Sequence, residues 1–285
     1  MRLDFETLEF ELKENGIGII TLNRPEKLNA MSFQMFADLH DILDHLMVNL
    51  DCRVVILAAK GRAFCAGLDL SEINIMRMKR IPEEYKKFKY MQVSDQVKKT
   101  FYFQWMLSRV IIKMRKINQP IIAVVNGAAT GGGFGLTLAS DIRIAGKNAR
   151  FNNAFINIGL SGSDCGTSYF LPRLIGLSRA TEILYTGRFI DAEEALRIGL
   201  VLKFVEGDES KLLEAATEIA ENLLTKSPLG LRMTKEAINL SQDSPSLETI
   251  IQLENRAQSI CSSSNDMMTA VMAFFKKEPP KYSLR

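Results

Sequence analysis

Ile121-Ile122-Ala123-Val124-Val125-Asn126-Gly127-Ala128-Ala129-Thr130-Gly131-Gly132-Gly133-Phe134-Gly135-Leu136-Thr137-Leu138-Ala139 is the stretch on which the fold assignment turns. Its first five residues form an unbroken apolar run of strand length. Strands read this way when both faces of a parallel sheet are covered by helices. Glycines then let a backbone approach a ligand closely and leave N–H groups at a helix N-terminus. Neither phosphate-binding template fits. Counted from Gly127, a P-loop needs lysine where Gly133 stands, and counted from Gly131, a dinucleotide turn needs glycine where Leu136 stands. Alone, the turn reads equally well as a packing device.

A second loop changes that balance. Lys60-Gly61-Arg62-Ala63-Phe64-Cys65-Ala66-Gly67-Leu68-Asp69-Leu70 also follows an apolar strand, Arg53–Ala59. Two loops after two core strands can each offer a backbone N–H to one carbonyl oxygen. That is oxyanion-hole geometry, and one such donor contributes about 3–4 kcal/mol to a transition state.

Working outward, segments 6–12 and 17–22 flank an Asn15-Gly16 turn and predict a hairpin. Ser32 precedes Phe36, Leu39, Leu43, Leu46 and Leu50 at helical spacing, which predicts an N-capped amphipathic helix. Residues 71–118 read as a mostly helical excursion. Beyond residue 206 strand signals stop; segments 208–225, 227–242 and 246–261 read as helices, and a last one ends at Pro279-Pro280. The expected architecture is an α/β core over 1–205 and a helical module over 206–285.

Composition narrows the class. Of 285 residues, 47% are apolar and 24% charged, which argues against disorder. A formal charge of +3 is too small to imply a nucleic-acid or membrane-surface role. Cys52, Cys65, Cys165 and Cys261 lie far apart with no CxxC pair, so neither a zinc site nor a disulfide framework is expected. Charge at Arg2, Asp4 and Glu6 argues against a signal peptide, and no apolar stretch approaches the ~18 residues of a membrane span. A cytoplasmic, reducing location is expected.

Several motifs in order now carry a resemblance: Asn23-Arg24-Pro25-Glu26-Lys27-Leu28-Asn29-Ala30, Ala63 through Leu70, Asn126 through Gly133, Asp141-Ile142-Arg143, and Tyr185-Thr186-Gly187-Arg188-Phe189-Ile190-Asp191-Ala192. Together they resemble the crotonase (enoyl-CoA hydratase/isomerase) superfamily over essentially the whole chain. The resemblance implies an α/β, crotonase-like core of stacked ββα units in a superhelix, with a C-terminal helical trimerisation module. It also implies an acyl-CoA substrate, no separate cofactor and no metal, and assembly as a homotrimer or homohexamer.

By the same resemblance, the thioester oxygen is held by the main-chain N–H groups of Leu68 and Gly132. CoA lies along Glu26, Lys27, Leu28, Ala63, Ala66, Gly67 and Asp69, with Phe274 and Lys277 reaching the nucleotide of a neighbouring subunit. Lys276-Lys277 also reads as a solvated helix end, and Asp69 and Asp141 read as turn and backbone-bonding residues. Arg24 and Lys27 add basic charge for the CoA phosphates.

The chain departs from the hydratase pattern where it matters most. The two glutamates that add water correspond to Gly135 and Phe155. Syn addition of water needs one group to take a proton and another to give one. Asp164, two residues before Gly166-Thr167, matches an aspartate that serves as base in dienoyl-CoA isomerases; an Asx-turn residue is the competing reading. A single carboxylate is sufficient for proton removal and return. Water addition remains open if Asn157, Ser163 or Cys165 orients the water. A catalytically silent acyl-CoA-binding protein is the alternative.

Other chemistry is excluded more simply. His40 and His45 are five apart and do not form an HExxH pair. Gly159-Leu160-Ser161-Gly162-Ser163 lacks the second glycine of a nucleophile elbow, and no histidine follows it. Cys65 and Cys165 read as packing or site-lining residues, and Met76, Met78, Phe101 and Trp105 as core before acyl pocket.

Overall fold

A computed structural model describes residues 4–69, 71, 92–243, 246, 251, 252, 255, 258, 260 and 264–282. Met76, Met78, most of the expected 246–261 helix and Cys261 fall outside these residues, as does the side chain of Phe274.

The hairpin forms as its pattern predicts. Strands β1 (Leu8–Leu12) and β2 (Ile17–Leu22) pair antiparallel, with Leu8 opposite Leu22. Ser32 accepts a hydrogen bond from the Met35 N–H and starts α1 (Phe33–Val48). The apolar runs become β3 (Val54–Ala59) and β5 (Ile121–Val125), separated by the short β4 (Ala63–Cys65) and α2 (Asp95–Lys116). Then follow β6 (Ala128–Thr130), α3 (Gly132–Ala139), β7 (Ile142–Gly146) and β8 (Arg150–Asn152). Helices α4 (Thr167–Ile175) and α5 (Leu177–Thr186) lead to β9 (Phe189–Asp191), α6 (Ala192–Arg197) and β10 (Lys203–Val205). The chain closes through α7 (Glu209–Leu224), α8 (Pro228–Ser241) and α9 (Asn265–Lys276).

The larger sheet has six strands in the order β1-β2-β3-β5-β7-β10, parallel from β2 onward. Side chains alternate between its faces. Val55, Leu57, Ile121, Ala123 and Val125 join the core that also holds Phe36, Leu39 and Leu43 of α1. Val54, Ile56, Ile122, Val124 and Ile144 face the other way, onto Leu212, Ala215, Ala216 and Ala220 of α7. Burial on both faces is why these strands show no polar alternation.

A second sheet, β4-β6-β8-β9, stands at the ends of the first and was not expected from the sequence. Its strands have three residues each, too short for a periodic signal. Nevertheless it holds both glycine-bearing loops, because β4 ends at Cys65 and β6 at Thr130, and the two pair in parallel.

Candidate functional site

Leu68 and Gly132 are brought together by those two strands. Met31 donates its N–H to the Gly67 carbonyl at 2.7 Å and accepts from the Asp69 N–H at 3.1 Å. The residue between them, Leu68, forms the isolated parallel bridge to Met31, so its own N–H points away from Met31. Gly132 opens α3, where an N–H has no carbonyl one turn earlier to bond. Glycine is required for this approach. A Cβ on Gly67 (φ +89°) would lie 2.9 Å from the Thr130 carbonyl oxygen, and one on Gly133 would lie 2.2 Å from that of Cys65. Polar ties fix the loops: Thr130 Oγ1 donates to the Ala66 carbonyl at 2.7 Å, and the Gly131 N–H to the Asn152 carbonyl at 3.0 Å.

The segment predicted to run beside CoA forms one edge of this arrangement. Glu26 and Lys27 are exposed on a single 3₁₀ turn that ends at Leu28 (φ 52°). Leu28 accepts from the Ala66 N–H at 3.0 Å. Buried Asn29 donates to the carbonyls of Lys60 and Ala63 at 2.8 and 2.9 Å, joining the two segments. Asp69 is 7% exposed; its carboxylate pairs with Arg24 at 3.2 Å and accepts from Ser71. Burial alone would raise its pKa, but the Ser71 and Arg24 hydrogen bonds outweigh that and hold it below the ordinary carboxylate value. Arg24 also donates to the Ala30 carbonyl at 2.6 Å, so its guanidinium holds this loop from within. Lys277, exposed just beyond α9 with φ 57°, makes no backbone hydrogen bond to these loops among the described residues.

Asp164 is linked to the glycine loop through its neighbour Cys165. Cys165 N–H donates to its Oδ1 at 2.7 Å, and Gln104 Nε2 of α2 donates to its Oδ2 at 3.2 Å. Cys165, in the left-handed region at φ 50°, is the link to the loop: its Sγ is 4.0 Å from the Cβ position of Gly132. Burial pushes the Cys165 thiol well above its ordinary pKa, and the Asp164 charge adds to this. Gln104 was not singled out from sequence, where it is one polar residue on an amphipathic helix and carries no motif signal.

The surroundings of Gly135 and Phe155 are both closely packed. A Cβ on Gly135 would sit 2.6 Å from Cys165 Cβ and 3.1 Å from its carbonyl oxygen. Phe155 is 6% exposed, with its ring 3.5 Å from the Cβ position of Gly131. Asn157 donates to the Gly187 carbonyl at 3.0 Å and is committed there. His40 Nε2 meets the Met106 carbonyl at 3.0 Å, and burial lowers its pKa; His45 contacts Asn49. As read from sequence, Asp141 binds backbone, accepting from the Ile121 N–H at 2.8 Å.

Behind Cys165, between α2, α4 and α8, lies a cavity of about 640 Å³ walled by Ile111, Phe170 and Ile238. Of the cations lining it, Arg115 pairs with Asp141 at 2.8 Å and Arg173 donates to the Tyr169 carbonyl at 2.8 Å. Among the described residues there is no cluster of His, Cys, Asp and Glu that could hold a metal, and no helix long and apolar enough to cross a membrane.

Comparison with known proteins converges on one group. The family model described as Enoyl-CoA hydratase/isomerase matches residues 12–285. The "probable enoyl-CoA hydratase echA12" of Mycobacterium bovis is 40% identical over 244 residues, 85% of this chain and 80% of its own. The 1,2-epoxyphenylacetyl-CoA isomerase of Escherichia coli K12 is 34% identical over 278 residues, 97% of this chain and 99% of its own. Among solved structures, an enoyl-CoA hydratase from Bacillus anthracis superposes with a TM-score of 0.86 at 32% identity, covering 98% of this chain and 100% of that one.

Proposed function

The chain belongs to the enoyl-CoA hydratase/isomerase family, and from that premise we propose that it moves protons on an acyl-CoA thioester with Asp164 as its acid–base group. The Leu68 and Gly132 N–H groups receive the thioester oxygen. As a C–H bond next to the thioester, or its vinylogue, gives its proton to Asp164, the electron pair moves onto that oxygen as an enolate. Fixed amide dipoles favour the enolate over the neutral substrate, which is what lowers the barrier. Return of the same proton at another carbon shifts the double bond and restores the carboxylate.

The closure of both glutamate positions carries this reading. Cys165 fills the space beside Gly135, and Phe155 fills the other. A water molecule therefore loses the two groups that would take and give its protons, whereas a proton shuttle needs only one carboxylate. CoA runs along Glu26, Lys27, Leu28, Ala63, Ala66, Gly67 and Asp69. Lys277 and Phe274 serve a neighbouring subunit's nucleotide in a homotrimer or homohexamer.

The same closure favours a second reading, a silent acyl-CoA-binding protein. Incubation with a panel of enoyl-, dienoyl- and saturated acyl-CoA thioesters in deuterated water, read by mass spectrometry and absorbance, separates the two. Asp164→Asn is expected to keep acyl-CoA binding and to lower turnover at least about a hundredfold. Unchanged turnover removes Asp164 from the mechanism, and binding with no label or isomer from any thioester establishes the silent reading.

A further inference from the structure

We propose that Gln104 is the positioning residue for Asp164, fixing the carboxylate so that one oxygen faces the substrate carbon. This rests on the reading of Asp164 as the base. A carboxylate on a loop has two rotations to settle before it can take a proton in line. The Cys165 N–H settles part of this by holding Oδ1 at 2.7 Å, but that donor is on the adjacent residue and moves with the loop. Gln104 comes from a different element, sixty positions earlier, and holds Oδ2 at 3.2 Å.

Its own position is set by the helix. Ser94 caps α2 by accepting from the Val97 N–H, and Lys113 of the same helix pairs with Asp44 of α1 at 2.6 Å. Leu107, three residues after Gln104 and so on the same helical face, lies 3.7 Å from the Cβ position of Gly132. One helix thus references the carboxylate to the glycine loop. The Gln104 amide donates and carries no charge, so it can orient the carboxylate while leaving it ionised and basic.

The arrangement assigns Gln104 a role that acts through Asp164 alone, and this has a distinctive kinetic consequence. Gln104→Leu keeps the side chain's bulk and removes the donor. It is expected to lower kcat by about tenfold to a hundredfold, the cost typical of a misplaced catalytic group, with KM within about twofold and the melting temperature unchanged. In an Asp164→Asn background the same substitution should have no further effect, a non-additivity that a general structural role would not produce. Exchange of α-protons of butyryl-CoA and hexanoyl-CoA into deuterated water, followed by NMR, gives the same four-variant cycle without a complete reaction.

Loss of exchange in Asp164→Asn with normal exchange in Gln104→Leu overturns the role of Gln104 and leaves Asp164 standing. Normal exchange and turnover in Asp164→Asn, or their absence from the wild-type chain, overturns the underlying reading and this one with it. Additive losses in the double variant also refute the proposal.

Discussion

Placing a glutamate at position 135 is the most direct challenge to the site as proposed. Gly135 lies inside α3, where replacing glycine by alanine normally gains about 1 kcal/mol of helix propensity. Here the new methyl would stand 2.6 Å from Cys165 Cβ, 3.1 Å from Cys165 carbonyl oxygen and 3.6 Å from Ile111 Cδ1. Overpacking of this kind costs about 1–3 kcal/mol. The difference leaves Gly135→Ala roughly 0–2 kcal/mol less stable, which lowers Tm by up to about 8 °C at about 2–4 °C per kcal/mol. Gly135→Glu pays the same packing cost and adds a carboxylate among buried neighbours, at several kcal/mol for an unpaired ion. A total of about 4 kcal/mol or more approaches the whole stability of many domains, about 5–15 kcal/mol. Both variants push on Cys165, whose N–H orients Asp164, so turnover should fall even where the fold survives. Thermal melts by circular dichroism, with crotonyl-CoA hydration and enoyl-CoA isomerisation assayed by absorbance, test this. A Gly135→Glu protein that melts like wild type and hydrates crotonyl-CoA would refute the reasoning.

Two further outcomes follow from groups away from the reacting carbon. Lys235, 7% exposed, donates to Asp141 at 2.9 Å and to the Gln119 carbonyl at 2.7 Å, pinning α8 to the sheet; Lys235→Met should cost about 2–4 kcal/mol, somewhat less than a buried pair usually does because Asp141 keeps Arg115, and an unchanged melting curve would contradict it. Burial pushes the Cys52 and Cys65 thiols up to about 12 and raises that of Cys165, so at pH 8 none of the three should react with iodoacetamide in the native protein, and all should after denaturation; peptide mass mapping reads this, and native labelling of Cys65 or Cys165 would show their surroundings to be open.

Local signals made much of the fold legible. The hairpin at Asn15-Gly16, the Ser32 cap and the apolar runs of β3 and β5 each depend on residues close in sequence, and each forms as read. The glycine run pointed to a ligand loop only in company with Gly67-Leu68. Neither the second sheet nor the Gln104 contact left such a mark. Strands of three residues hold by pairing with distant partners, and a glutamine sixty residues from Asp164 has no spacing to recognise.

The sequence by itself determined that the chain is an α/β protein resembling this family, and it put Gly135 and Phe155 where that resemblance led one to expect two acids. It did so because strand burial, helix caps and glycine requirements are written in neighbouring residues. Only the tertiary structure decided that those positions are filled rather than vacant. Whether a side chain fits beside Gly135 depends on Cys165, thirty positions away, whose left-handed backbone carries its Cβ into that space. Close packing between segments distant in the chain is a property of three dimensions, and here it sets Cys165, the neighbour of Asp164, against the glycine loop.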